Sequence, residues 1–187
     1  MSEILDLEKV AHQGPQPFDL SIRIPGEELD REEVASISEV RATGEVGAGD
    51  RPKEFLLSGS VEYTADLLCS RCVDPFPFAI RSEFHLTYLP RPAAESADSL
   101  EDVEVAGEQL DEEYYDEPQI DLGPVILEQV QLSLPMKALC AEDCKGLCVV
   151  CKGNRNRSAC ECAVEESDSR WDALRGIREQ LAKKKEN

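Results

Sequence analysis

The sequence lacks the features that usually mark a membrane protein or an enzyme. Its 187 residues contain no run of about 18 apolar residues, and the opening MSEILDLEKVAHQG has no signal-peptide core. We therefore expect a soluble, cytoplasmic protein without a membrane segment. Only His12 and His85 are histidines, and no phosphate-binding loop, nucleophile elbow or H-E-x-x-H motif occurs. These absences predict a protein that is not an enzyme.

Positive charge is also scarce. Twenty Lys and Arg residues stand against 39 Asp and Glu, which gives a formal net charge of −19. Such a surface repels phosphate backbones and attracts basic partners. Residues 92–119 contain no Lys or Arg and predict an acidic loop, in which EEYYDE could add a short strand. The acids either serve solubility alone or form a docking surface for a basic protein, and composition leaves both open.

Aromatic residues make up only 5% of the chain and hydrophobic residues 41%, which predicts a globular protein with an aliphatic core. Period-two alternation predicts strands at 40–48, 55–67 and 76–88, joined as an antiparallel meander by short connections. An earlier strand is expected at 19–24 and a helical turn at 29–34. The expected inward residues are Val40, Ala42, Gly44, Val46, Ala48, Phe55, Leu57, Val61, Tyr63, Ala65, Leu67, Phe76, Phe78, Ile80, Phe84, Leu86 and Tyr88.

Two helices are predicted in the second half of the chain. Asp121 is a suitable N-cap, Pro124 is tolerated in the first turn, and Pro135 ends the helix, which we expect to pack on the sheet. A C-terminal helix is also predicted, because Asp168 can cap its start and basic residues 183–185 lie at its end. Its apolar positions are Trp171, Leu174, Ile177 and Leu181.

Eight cysteines in a reducing compartment argue for metal binding rather than disulfides. Cys69 and Cys72 form CSRC between two predicted strands. The other six are Cys140, Cys144, Cys148, Cys151, Cys160 and Cys162. Zinc prefers four tetrahedral thiolates, and a C-x2-C pair forms a tight turn, a knuckle, around one ion. The spacing therefore predicts a cysteine-rich zinc knuckle.

Spacing does not decide the number of ions. One division gives two sites, Cys69, Cys72, Cys140 and Cys144 in one and Cys148, Cys151, Cys160 and Cys162 in the other. A single site that joins the CSRC pair to one C-terminal pair is also open. An iron–sulfur cluster takes four thiolates too, but zinc is favoured. Buried free thiols and disulfides also compete, and a redox role is disfavoured because CSRC does not precede a helix.

Basic residues flank the C-terminal cysteines, in contrast to the rest of the chain. They are Lys145, Lys152, Arg155 and Arg157. We expect them to offset the negative charge of a tetrathiolate site. They are also the sole support for direct nucleic-acid binding.

The succession of motifs resembles the YceD-like large ribosomal RNA subunit accumulation proteins. The resemblance rests on LLCSRCVDPFPFAI, on IDLGPVILEQVQLSLPMKALCAEDCKGLCVVCKGNRNRSACEC and on DSRWDALRGI, within residues 37–178. Three positions depart from the family pattern. Cys-Pro-x-Cys-Gly here reads Cys148-Val-Val-Cys151-Lys, Asn-Leu-Asn reads Asn154-Arg-Asn156, and Asp-Pro-Arg reads Asp168-Ser-Arg170.

Together these patterns predict an α+β fold, with an antiparallel meander or small barrel-like sheet, a packed helix, a zinc knuckle and a C-terminal helix. A single domain is expected over 1–166, with a β-rich part (1–91), an acidic loop (92–119) and a helix-plus-knuckle part (120–166). Residues 167–187 would form the last helix and tail.

The resemblance implies a non-catalytic ribosome-biogenesis factor that supports synthesis or accumulation of large-subunit ribosomal RNA. The charge adds the hypothesis that its partner is a basic ribosomal protein or a large-subunit precursor particle. A zinc-containing nucleic-acid-binding regulator and a thiol redox protein are the alternatives. Direct RNA contact and oligomeric state stay open.

Overall fold

The computed structural model describes residues 3–91 and 112–162. The predicted C-terminal helix and most of the predicted acidic loop lie outside these residues. The elements in chain order are β1 (Ile4–Asp6), α1 (Leu7–Gln13), β2 (Gln16–Ile22), a 3₁₀ turn (Gly26–Leu29), β3 (Val34–Ile37), β4 (Val40–Ala48), β5 (Phe55–Leu68), β6 (Pro75–Pro90), β7 (Glu112–Tyr115), β8 (Gln119–Asp121) and α2 (Leu122–Ser133). This part of the chain is α+β, as predicted.

The alternating sequence of the first half forms the predicted antiparallel meander of β4, β5 and β6. β2 flanks β4, and β7 pairs with the end of β6 in parallel. β3 pairs with the second half of β5, along the same edge that β4 occupies in the first half. Within the described ranges the order β2-β4-β5-β6-β7 is an open path, and no pairing of β2 with β7 closes it as a barrel.

The inward face of the meander supplies most of the core. All six inward residues predicted for β5 are buried. Two other predicted inward residues are exposed, Ala48 at the end of β4 and Phe78, at 38%. β7 covers only the last four residues of β6. Phe78 lies outside that part of β6, and its ring meets the ring of Phe76 edge to face, with centroids 6.2 Å apart.

Helix α2 begins and ends where the sequence predicts. The Asp121 carboxylate accepts a hydrogen bond from the backbone N–H of Gly123 at 2.9 Å, and the helix ends before Pro135. One face of the helix is buried, through Leu122, Ile126 and Val130. The Tyr63 hydroxyl on β5 donates to the Val130 carbonyl at 3.1 Å, so a hydrogen bond fixes the helix to the sheet.

Several short elements differ from the predictions. The helical turn lies at 26–29 rather than 29–34, and Val34 instead begins β3. Helix α1, capped by Asp6, was not predicted, because seven residues are too few to show a helical period. The acidic loop ends earlier than expected, since β7 and β8 occupy part of it. The strand suggested within EEYYDE is confirmed as β7.

Two glycines permit unusually close packing at the centre of the sheet. Gly44 and Gly59 lie opposite each other on β4 and β5. A Cβ atom on Gly44 would lie 2.6 Å from Cζ of Phe18 and 2.7 Å from Cα of Gly59, and it would also meet the Ser58 carbonyl. A Cβ on Gly59 would lie 2.7 Å from Cζ of Phe84. Two phenyl rings therefore occupy the space that side chains would take.

This packing predicts that Gly44→Ala lowers the free energy of unfolding by about 1–3 kcal/mol, because the ring and backbone must move apart. Gly47→Ala is a matched control on the same strand, since its Cβ would lie 3.8 Å from Pro15. We expect the control to change stability by less than about 1 kcal/mol. Urea denaturation of both variants measures the difference, and equal losses would contradict this packing.

Candidate metal centre

The CSRC motif forms the tight turn that joins β5 to β6. The N–H of Val73 donates to the Cys69 carbonyl at 2.8 Å, and the N–H of Cys69 donates to the Asp74 carbonyl at 3.0 Å. Val73 has a left-handed backbone with φ of 60°, which is unfavourable for a β-branched residue. The turn holds Cys69 and Cys72 in buried positions at the end of a hairpin.

The second C-x2-C motif folds in the same way. The N–H of Lys152 donates to the Cys148 carbonyl at 2.9 Å, and the N–H of Cys148 donates to the Gly153 carbonyl at 2.9 Å. Lys152 follows the second cysteine and is again left-handed, with φ of 59°. Both motifs therefore form tight turns with the same hydrogen-bond pattern.

Four sulfurs converge at the hairpin tip, from Cys69, Cys72, Cys140 and Cys144, here called the first tetrad. All lie within 4.8 Å of one another. The sulfurs of Cys69 and Cys144 are 3.8 Å apart, and those of Cys72 and Cys140 are 3.7 Å apart. Thiolates about 2.3 Å from a tetrahedral zinc ion would be separated by about 3.8 Å. The first tetrad therefore has room for one tetrahedral ion.

The remaining sulfurs, from Cys148, Cys151, Cys160 and Cys162, form the second tetrad. They too lie within 4.8 Å of one another. Cys148 is buried, Cys162 is half-buried, and the other two are exposed. Of the divisions that the sequence left open, the structure shows the two separate groups of four.

Hydrogen bonds from the hairpin tip hold the distant half of the first tetrad in place. The Arg71 guanidinium donates to the carbonyls of Glu142 at 2.9 Å and Cys144 at 3.0 Å. The Arg71 carbonyl accepts from the N–H of Leu147 at 3.1 Å. Gly146 has φ of 70°, and a Cβ there would lie 2.9 Å from the Arg71 carbonyl oxygen. A glycine is thus needed where the two segments approach.

The crowded thiols do not ionise alike. Burial raises the pKa of Cys69, but backbone N–H groups, first that of Cys140, outweigh it and lower the pKa to about 6. Backbone N–H groups, mainly that of Cys151, also lower the pKa of Cys148 to about 6. Hydrogen bonding to Cys69 raises the pKa of Cys140 to about 12, and Cys151 does the same to Cys162. A central cation would be needed for all four thiols to ionise together.

Two asparagines support the first tetrad, and sequence reasoning gave them no role. The Asn156 side-chain amide donates to the Cys144 sulfur at 3.2 Å, and its oxygen accepts from the N–H of Lys145 at 2.7 Å. The Asn154 amide donates to the Asp74 carboxylate at 2.6 Å. Their signal in the sequence is the Asn154-Arg-Asn156 pattern noted for the family resemblance.

The basic residues near the cysteines divide into two kinds. Arg157 pairs with Asp74 at 3.0 Å, so it anchors a loop in addition to any effect on cluster charge. Lys145, Lys152 and Arg155 are exposed and form no ion pair with the residues that the structure describes. These three side chains are available to offset thiolate charge.

Neither histidine belongs to the sulfur clusters. His85 is exposed on the outer face of β6, with Nδ1 3.2 Å from the Ser58 hydroxyl. His12 lies in the last turn of α1. Among the described ranges, no helix has the length and apolar character needed to cross a membrane.

The fold and the sulfur geometry define an α+β protein with two four-cysteine groups that could each hold a metal ion. A family model described as "Large ribosomal RNA subunit accumulation protein YceD" matches residues 57–178, from β5 through both tetrads. The chain belongs to this family, which confirms the resemblance seen in its motifs.

Two curated relatives carry the name "Large ribosomal RNA subunit accumulation protein YCED homolog 1, chloroplastic". The Arabidopsis thaliana protein is 28% identical over 152 residues, which cover 72% of this chain and 47% of the relative. The Zea mays protein is 30% identical over 126 residues, which cover 57% of this chain and 43% of the relative. The chain thus spans less than half the length of these relatives. No solved structure matches it.

The role of Arg71 can be tested by substitution. Arg71→Ala removes two charge-assisted hydrogen bonds to carbonyls, so we expect a loss of about 1.5–3 kcal/mol of unfolding free energy. Arg81→Ala is the control, because its ion pair with Glu62 lies on the surface and should cost at most about 1 kcal/mol. Urea denaturation gives both values. Hydrogen exchange at the Leu147 amide should accelerate in the first variant alone, and unchanged exchange there would contradict this role.

Proposed function

We propose that this chain is a non-catalytic, cytoplasmic ribosome-biogenesis factor that supports synthesis or accumulation of large-subunit ribosomal RNA. It acts by binding a basic ribosomal protein or a large-subunit precursor particle. Family membership supports the link to the ribosome. The net charge of −19 is the observation that supports a basic partner.

The outer face of the sheet offers a specific acidic surface. The charged side chains of this face include Asp19, Arg41, Glu45, Glu62, Arg81 and Glu83. Both arginines are neutralised, Arg41 by Asp19 at 2.8 Å and Arg81 by Glu62 at 3.2 Å. Glu45 and Glu83 have no ion-pair partner among the described residues. Their carboxylates are free to receive a cation from outside.

Small side chains separate these two glutamates. Ser58 is the cross-strand partner of Glu45, and Ser60 is the partner of Glu83. Together with Thr43 they line a shallow depression. A lysine or arginine side chain of a partner could enter it between the two carboxylates. Opposite charge would speed encounter, and salt would weaken it. We call this surface the Glu45–Glu83 depression.

Neutralising the depression should weaken association with the partner. We expect Glu45→Gln/Glu83→Gln to reduce co-sedimentation with precursor particles or basic ribosomal proteins about tenfold at low salt, equivalent to about 1.4 kcal/mol. Glu27→Gln/Glu32→Gln is the control, because it removes the same charge near the 3₁₀ turn. Equal effects of the two variants would rule out the depression, and no association of the unaltered protein at low salt would rule out the function.

We further propose that each tetrad holds one structural zinc ion. Tetrahedral sets of four sulfurs suit zinc or iron, and sulfurs this close surround a single ion rather than the separate irons of a cluster. Zinc would supply a cross-link without redox chemistry. In the first tetrad, this cross-link would join the hairpin tip to residues 140–144.

Metal content tests this assignment directly. Protein purified without added metal should contain two zinc ions per chain by elemental analysis. Cys69→Ser/Cys72→Ser and Cys160→Ser/Cys162→Ser should each retain at most one. The first variant should lose more thermal stability, because its tetrad joins distant segments. Ser158→Ala is the control and should keep two ions, whereas iron or no metal in the unaltered protein would exclude structural zinc.

Two alternative functions predict different results when these residues are substituted. If the chain is a thiol redox protein, Cys69→Ser/Cys72→Ser should fold stably and lose only thiol activity. If it is a zinc-containing nucleic-acid-binding regulator, neutralising the basic residues should abolish RNA binding at unchanged metal content. Exposed Lys145, Lys152 and Arg155 favour this second alternative.

A further inference from the structure

We propose that the two tetrads bind metal cooperatively, and that Asn156 is the positioning residue that couples them. An ion in the second tetrad fixes both ends of loop 152–159, and this loop presents Asn156 to a cysteine of the first tetrad. The inference rests on the proposed function of the tetrads as metal sites.

Asn156 lies between cysteines of the second tetrad in the sequence, but its side chain contacts the first tetrad. It lies between Cys151 and Cys160, which are both members of the second tetrad. Its amide nevertheless donates to the sulfur of Cys144 in the first tetrad, at 3.2 Å. Its side-chain oxygen accepts from the N–H of Lys145 at 2.7 Å, so the same side chain holds the cysteine and the residue that follows it.

Other residues of the loop also contact the segments that surround the first tetrad. Asn154 donates to Asp74, beside the CSRC turn, at 2.6 Å, and Arg157 pairs with the same carboxylate at 3.0 Å. The N–H of Arg155 donates to the Gly146 carbonyl at 2.9 Å. Asn154 further accepts from the N–H of Asn156 at 2.8 Å, which orients the coupling residue.

The loop's other bonds are local backbone contacts: Asn154 bridges Leu147, and its carbonyl accepts from the N–H groups of Arg157 and Ser158 at 3.2 Å. Apart from half-buried Asn154, residues 152–159 are exposed, and they contain no helix or strand. Surface hydrogen bonds and ion pairs contribute little net stability. Cys151 immediately precedes the loop and Cys160 immediately follows it, so a metal ion in the second tetrad would restrict its conformations strongly.

An amide that donates to a thiolate stabilises the negative charge of the sulfur and fixes the orientation of the cysteine side chain. Partners that hold metal ligands in this way typically contribute about 10–100-fold to metal affinity. Occupancy of the second tetrad should therefore strengthen the first by a factor of this size. Linkage requires the reverse effect to be equal.

Cobalt titration of metal-free protein under reducing, anaerobic conditions tests the coupling. Thiolate-to-cobalt charge transfer and d–d absorption report each site, and a competing chelator gives the constants. Cys160→Ser/Cys162→Ser isolates the first tetrad, and Cys69→Ser/Cys72→Ser isolates the second. We expect the product of the two association constants in the unaltered protein to exceed the product of the isolated constants by about 10–100-fold.

Asn156→Ala retains all eight cysteines, so it tests the coupling without removing a ligand. It should abolish most of this excess and accelerate hydrogen exchange at the Lys145 amide, whereas Ser158→Ala on the same loop should change neither. Equal products would overturn the coupling, and an excess that survives Asn156→Ala would overturn the role of Asn156; both results would leave the metal sites intact. Absence of tetrahedral thiolate–cobalt absorption in the unaltered protein would overturn the metal sites themselves.

Discussion

The meeting of two distant segments at the β5–β6 hairpin tip is the constraint on which the rest of this structure depends. Cys69 and Cys144 are 75 positions apart, yet their sulfurs lie 3.8 Å from each other. β5 and β6 carry the tip to the end of the sheet, and α2 returns the chain to it. The hydrogen bonds of Arg71 complete the junction. If β5, β6 or α2 were shorter or longer, the two segments would not meet and the first tetrad would not form.

The sulfur clusters persist in a strongly acidic chain because the backbone supplies much of their electrostatic support. The N–H groups of Cys140 and of the CSRC turn lower the pKa of Cys69, and those of the second C-x2-C turn lower the pKa of Cys148. Such donors are fixed by the backbone fold and carry no net charge to be screened by salt. Arg157 instead pairs with Asp74 at 3.0 Å. The backbone geometry around each cysteine therefore determines which thiols have a lowered pKa.

Sequence reasoning predicted what depends on local pattern. The boundaries of β4, the Asp121 cap of α2 and the two tight C-x2-C turns all follow from neighbouring residues. The grouping of the tetrads was one of several possibilities, because spacing cannot say which distant pairs meet. The contacts of Gly44 with Phe18, and of Asn156 with Cys144, join segments whose approach only the tertiary fold determines. Helix α1 was missed because its seven residues carry too short a period.

Strands β5 and β6 link the first tetrad to the proposed docking surface. Ser58 and Ser60 of the Glu45–Glu83 depression lie in the first half of β5, and Cys69 directly follows its last residue. β5 and β6 pair continuously from Phe55 to Leu68, so the depression and the hairpin tip belong to one hydrogen-bonded ladder. A rigid surface loses little conformational entropy when a partner binds. The first tetrad would thus support the proposed function by holding one end of that ladder in place, while the carboxylates of the sheet would make the proposed contact.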